Sequence, residues 1–135
     1  MSRVLFVCLQ NAGRSQMSQA LFERAAAGRH EAQSAGTEPA ERVHANVVTA
    51  MREEGIDLSR RVPRKLTDEL ARWADVVITM GCGDACPVIS GRRYIDWDLR
   101  DPKDLPIEQV RALRDDIKLR VVGLVKDLDR AGVGR

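Results

Sequence analysis

The apolar run Val4-Leu5-Phe6-Val7 contains no alternating polar positions, as a strand covered on both faces requires, and predicts a short strand over Arg3 to Val7. From Ser15 to about Ala27 the period changes to a helical one. Met17, Leu21 and Ala25 fall on one face with Phe22 beside them, and Gly28 is placed to stop the helix. Glu31 to Ser34 reads as a second strand, running into Ala35-Gly36-Thr37. A helix is expected over Glu41 to Glu54, with Val43, Val47, Ala50 and Met51 inward. Gly55 should supply a left-handed cap, with Ile56 folding back over the last turn. After a loop from Asp57 to Lys65, Thr67 is placed to cap a short helix through Trp73. Asp75 to Met80 is β-branched and apolar, a third strand, and a fourth is expected around Arg92 to Ile95. Past the polar stretch Asp96 to Pro106, Ile107 to about Ala131 reads as the longest helix. Its stripe is Val110, Leu113, Ile117, Val121, Leu124 and Leu128, and Gly132 should end it. Gly123 inside that helix costs about 1 kcal/mol relative to Ala, which points to close helix packing there.

Strands alternating with helices predict right-handed βαβ crossovers and an α/β three-layer sandwich around a parallel sheet. In such sheets ligands sit beyond the carboxyl ends of the strands. Cys8 and Cys82 both follow directly on expected strand ends, so topology should bring them together.

At 135 residues the chain is expected to form a single domain spanning 1–135, with a core large enough to need no staples. Two Trp, two Phe and one Tyr make that core mostly aliphatic. A net charge of +2 argues against nucleic acid or membrane as partners, and Arg60-Arg61, Arg64-Lys65 and Arg92-Arg93 read as solvated surface. No stretch approaches a membrane span, and the apolar N-terminal run is too short for a signal peptide. A cytoplasmic, monomeric protein is expected. Three cysteines in that reducing setting argue for chemistry or metal rather than a structural disulfide.

The chemistry concentrates in Cys8-Leu9-Gln10-Asn11-Ala12-Gly13-Arg14-Ser15, between the first strand and the first helix. Leu9 to Gly13 is short enough to curl around one anion with its amides inward, as a nest. The helix start adds unpaired N–H donors and partial positive charge. Arg14 brings a planar fork for two oxygens, and these surroundings favour a thiolate nucleophile at Cys8. A buried core cysteine is the plainer reading, but Asn11, Gly13, Arg14 and Ser15 are poor core material.

Cys82 and Cys86 are three residues apart in a Gly-flanked segment, and on a helix they would share a face. They read as a redox relay, with Cys82 receiving an oxidation begun at Cys8 and Cys86 resolving it. Zinc held by the cysteines with His30 or His44 is disfavoured, because neither His lies at usual ligand spacing. Inert core thiols fit poorly among Gly, Asp and Pro. A late loop carries Asp96, Asp98 and Asp101, any of which could protonate an oxygen leaving the anion.

These residues resemble the low-molecular-weight protein tyrosine phosphatase family, and within it the arsenate reductases coupled to thioredoxin. The likeness runs through Cys8, Asn11, Arg14-Ser15-Gln16-Met17, Ser34-Ala35-Gly36-Thr37, Gly55-Ile56-Asp57-Leu58-Ser59, Val77-Ile78-Thr79-Met80 and Asp101-Pro102 in order. Gln16-Met17 with Cys82 and Cys86-Pro87 favours the reductase branch. The resemblance implies a four-stranded parallel sheet flanked by helices, with Cys8 as nucleophile. Leu9, Gln10, Asn11, Ala12, Gly13, Arg14 and Ser15 would bind the oxyanion, Ser15 would stabilise the thiolate and Asn11 would brace the loop. It selects Asp101 as general acid and Cys82 with Cys86 as the redox pair. Four departures stand out. The Cys82–Cys86 pair is more closely spaced than in some relatives, which should shorten the relay's travel. Gln19 occupies the position where some relatives bind potassium through Glu, so no metal is expected. Gln10 replaces a common Gly, and Lys103 replaces an aromatic that stacks on phosphotyrosine in phosphatases.

The expected reaction is reduction of arsenate, with phosphate or sulfate competing, no bound cofactor, and thioredoxin as electron donor. The alternative is a phosphatase that hydrolyses a cysteinyl-phosphate. A third reading, a redox or arsenic sensor, lacks any DNA-reading module.

Overall fold

The computed structural model describes residues 1–81 and 92–133. Four parallel strands, β1 (Arg3–Cys8), β2 (Glu31–Gly36), β3 (Val76–Thr79) and β4 (Arg93–Asp96), form one sheet in the order β2-β1-β3-β4. Four helices connect or follow them: α1 (Arg14–Ala26), α2 (Ala45–Arg52), α3 (Asp68–Trp73) and α4 (Ile107–Val133). Alternate residues of the strands serve opposite faces. Val4, Phe6 and Cys8 join Met17, Leu21 and Phe22 of α1, Val47 and Met51 of α2, and the stripe of α4. Leu5, Val7 and Val77 face the other way, against Leu66, Leu70 and Trp73. The expected three-layer arrangement is present, and β1, at the centre, delivers Cys8 to the carboxyl edge of the sheet.

Several local expectations hold for the stated reasons. Thr67 Oγ1 accepts from Leu70 N at 3.1 Å and caps α3. Gly55 takes φ +76°, and Ile56 N returns to Met51 O at 3.1 Å. All six residues of the expected α4 stripe are buried.

Other boundaries moved. The second helix begins at Ala45, not Glu41, because the 37–44 segment is occupied elsewhere: His44 N donates to Ala12 O at 2.9 Å. The strand β2 extends to Gly36, past Ser34, where it pairs with Cys8. Gly132 does not end α4, which continues to Val133; burial of Leu124, Val125 and Leu128 outweighs the cost of one glycine. Gly123 marks no close packing, since a Cβ built there would meet nothing within 4 Å.

Candidate active site

The loop from Cys8 to Arg14 turns on Asn11, which adopts φ +51°, a conformation Asn tolerates better than most residues. Its carbonyls are held from outside. Cys8 O accepts from Thr37 N (3.2 Å), Leu9 O from Glu38 N (2.8 Å), Gln10 O from Ala40 N (3.0 Å) and Ala12 O from His44 N (2.9 Å). A planar trans peptide points its N–H opposite its C=O. The amides of Leu9, Gln10, Asn11 and Gly13 therefore turn inward, and Asn11 N does donate to Cys8 Sγ at 3.3 Å. The first helical bond of α1 runs from Met17 N to Gly13 O, so the amides of Arg14, Ser15 and Gln16 precede it and lack helical acceptors. The result is a ring of donors over one sulfur, the geometry of an anion cradle.

Gly36 permits this docking. A Cβ there would lie 2.7 Å from Leu9 O and 2.8 Å from Asn11 N, both backbone atoms. Gly13 is equally confined, by the ring of Pro102.

Cys8 is buried, and its Sγ lies 2.9 Å from Ser15 Oγ. Asn11 Nδ2 donates to the same Ser15 oxygen at 2.7 Å. Asn11 Oδ1 accepts from Gln16 Nε2 (3.1 Å) and Arg64 N (3.0 Å). Sequence reasoning reached Asn11 and Ser15 but not the Gln16 side chain or the Arg64 amide.

Arg14, 6 % exposed, donates from Nη1 to Leu99 O at 3.3 Å and sets Nη2 3.6 Å from Asp101 Oδ2. Its Nε is buried with no partner among the described residues, leaving a donor for a substrate oxygen. The backbone approaches Arg14 at Gly81, where a Cβ would collide with the guanidinium. Of the three late acids, Asp101 is the one beside Arg14. Asp96 Oδ1 accepts from Thr79 Oγ1 at 2.8 Å, and Asp98 is exposed.

The acid loop is held in part by Asn46, which sequence reasoning did not single out. Asn46 Nδ2 donates to Pro102 O (2.9 Å) and Leu105 O (3.1 Å), and Lys103 N caps Asp101 Oδ1 at 3.0 Å. The available signal was an Asn inside a helix, where its propensity is poor. His44 lies beside Gly13. Burial lowers its pKa, Lys103 and Arg14 act in the same direction, and Asp101 and Asp104 oppose them.

Gln19 is engaged by protein: Oε1 accepts from Ser34 Oγ at 2.7 Å, and Nε2 donates to Ala32 O at 3.4 Å. The residues here do not suit a monovalent cation, because Asn11 Oδ1 already meets two donors and Arg64 Nε lies on Ser34 O at 2.9 Å. Among the described residues no group of three His, Cys, Asp or Glu side chains could hold a metal. His30 accepts from Ser2 N at its Nδ1 and pairs through Nε2 with Asp129 at 2.8 Å. The positive φ of the loop falls on Asn11 and not on Gln10. Cys82 and Cys86 lie outside the described residues. No described helix is long and apolar enough to cross a membrane.

Comparison with known proteins agrees with this geometry. The chain is 45% identical over 129 residues to a putative arsenate reductase of Halobacterium salinarum, covering 92% of this chain and 91% of that protein. It is 35% identical over 128 residues to a glutaredoxin arsenate reductase of Synechocystis, covering 93% and 97%. Its structure matches a thioredoxin-dependent arsenate reductase of Corynebacterium glutamicum with TM-score 0.82 and 37% identity; the match covers 97% of this chain but only 63% of that longer one. Residues 3–133 match the low molecular weight phosphotyrosine protein phosphatase family, and the chain belongs to it.

Proposed function

We propose that this protein reduces arsenate to arsenite, with Cys8 as nucleophile and a disulfide relay through Cys82 and Cys86. The observation that carries the reading is the cradle itself: a buried sulfur under inward amides, with an Arg14 nitrogen unpartnered among the described residues and the Asp101 carboxyl 3.6 Å from the same guanidinium. The relatives named arsenate reductase, together with the two further cysteines of the sequence, favour reduction over hydrolysis.

The Cys8 thiolate attacks arsenic(V) while the amides and Arg14 hold the oxygens. Asp101 gives its proton to the departing oxygen, which leaves as water. Cys82 then attacks the Cys8 sulfur. The S–As bonding pair goes to arsenic, which leaves as arsenite, and a Cys8–Cys82 disulfide remains. Cys86 attacks Cys82 sulfur and frees the Cys8 thiolate. An external dithiol reduces the Cys82–Cys86 disulfide, and thioredoxin is the donor we assign. The Gly81 backbone packed on Arg14 supports a relay cysteine next in sequence. The protein needs no bound cofactor, works as a monomer, and suits the reducing cytoplasm. Phosphate and sulfate compete for the cradle as tetrahedral anions.

The test is arsenate-driven NADPH oxidation with thioredoxin and its reductase, run beside glutaredoxin with glutathione. Cys82→Ser should abolish turnover while sparing hydrolysis of aryl phosphates. Cys86→Ser should trap a disulfide between residues 8 and 82, visible by mass spectrometry. Cys8→Ser should remove both activities. Phosphatase action as the main role is the second reading, favoured by the family match; unchanged arsenate turnover in Cys82→Ser would support it against the relay.

A further inference from the structure

The Cys8 sulfur meets Ser15 Oγ at 2.9 Å, and which of the two gives the proton is not fixed by that contact alone. The surrounding network fixes it. Asn11 Oδ1 meets Arg64 N at 3.0 Å, a backbone amide that can only donate, and the Gln16 carboxamide, placed with Nε2 toward it at 3.1 Å. That end of the carboxamide is therefore the oxygen, and the end 2.7 Å from Ser15 Oγ is the NH2 group. Ser15 Oγ accepts there, so its single hydrogen is free to point at sulfur.

We propose that Gln16 is a positioning residue for Cys8: through Asn11 it sets the direction of the Ser15 hydroxyl, so that the proton is donated to the thiolate. Gln16 sits in the first turn of α1, is 3 % exposed, and reaches Asn11 from the side away from the sulfur. It lines a polar cleft of about 360 Å³ with Gln19, Ser34 and Arg64, where its Oε1 has no partner among the described residues. A long polar side chain buried there, with one of its two polar ends directed at Asn11, has a purpose other than solubility. With Gln16 removed, a flipped Asn11 faces one donor instead of two. In the flipped state Oδ1 takes the Ser15 proton and the sulfur loses it. The proposal concerns the sulfur before substrate arrives, so it does not depend on whether arsenate is reduced.

The experiment is peptide-resolved alkylation of Cys8 by iodoacetamide. Gln16→Met, similar in length but without a donor, should slow Cys8 alkylation at pH 7 roughly tenfold, the order expected for losing a charge-assisted hydrogen bond. The deficit should narrow as the pH is raised, because hydroxide then deprotonates the thiol without help from Ser15. In a Ser15→Ala background the Gln16→Met change should add nothing, since the effect passes through that hydroxyl. Should the methionine variant fail to fold, Gln16→Leu, neutral and unable to donate, must give the same loss and the same cycle. An unchanged rate at pH 7 overturns the proposal. So does a pH-independent deficit, or a full loss retained in the Ser15→Ala background.

Discussion

The loop leaving β1 and the loop leaving β4 both supply groups to the anion site, but they are held differently. Asn11, Ala12, Gly13, Arg14 and Ser15 are buried, and four carbonyls from Cys8 to Ala12 are bound by the 37–44 segment. Arg100, Asp101, Lys103 and Asp104 are exposed, and their loop is held by buried Pro102 seated on Gly13 and by the amide of Asn46 across two carbonyls. The first loop is preorganised by many small bonds, as stabilisation of developing charge requires. The second is placed by a few. Loss of any single bond outside the cradle should thus leave anion binding intact unless an atom is forced into the loop, whereas proton delivery should respond to the loss of one or two bonds.

Removing the proton donor should have the largest effect. Asp101→Asn keeps the shape of the acid loop but cannot act as a general acid. We expect formation of the Cys8 adduct to slow by about 10²–10⁴-fold, with anion affinity nearly unchanged. Rapid-quench measurement of arsenite in a single turnover, beside phosphate inhibition constants, reads both. A loss confined to affinity would mean Asp101 only tunes Arg14.

Next comes the support of the first loop. Gly36→Ala forces a methyl to within 2.7–2.9 Å of three backbone atoms of residues 9–11. The loop must yield, at about 1–3 kcal/mol of stability, and the cradle shifts with it. A misplacement near 1 Å costs on the order of 10²-fold in rate. Unlike Asp101→Asn, this change should weaken phosphate binding and turnover together.

Asn46→Ala should be milder. It removes both bonds to the acid loop, worth about 1 kcal/mol each at most in net terms. Turnover should fall roughly tenfold with phosphate affinity intact. The same helix α2 is anchored at its far end by Glu53 to Arg111 and Arg114, and by Glu54 to Arg24 and Lys118. Those partners hold both carboxyls down to about 2, against an ordinary 4.5. The stability they contribute is full above pH 4.5 and fades as the pH falls toward 2. Thermal melts followed by circular dichroism should decline over that window, and less steeply for Glu53→Gln. The pairs are partly exposed, so the effect should be modest and blunted by salt.

What the sequence disclosed follows the same division. The strand, Cys8 loop and helix are contiguous, so their chemistry is readable as a string. The parallel sheet was legible from alternation, and each α4 stripe residue is buried as spaced. The choice of Asp101 over Asp96 and Asp98 was not legible from residue type; it came from resemblance. Its physical cause is remote, in Pro102 meeting Gly13 and Asn46 reaching 56 residues along the chain. Val43 continues the apolar spacing of Val47 and Ala50 and so suggests an earlier helix start, although residue 43 is buried in the segment before α2. Gln16 enters the sequence reading only as part of the resemblance, with no role of its own, because burial under a loop leaves no trace in helical periodicity.

Gly123 offers the smallest effect and separates stability from both loops. Glycine at an interior helical position costs conformational entropy, and a Cβ at this one meets nothing within 4 Å. Gly123→Ala should therefore stabilise the fold by roughly 0.5–1 kcal/mol, acting largely on the unfolded chain. Adduct formation, phosphate affinity and Cys8 alkylation should not change. Denaturant titration measures the gain through a raised midpoint at constant slope. If Gly123→Ala instead altered turnover, α4 would have to be transmitting strain to α1 and its first turn. The contrast between a rigid cradle and a lightly held acid loop would then need a third participant.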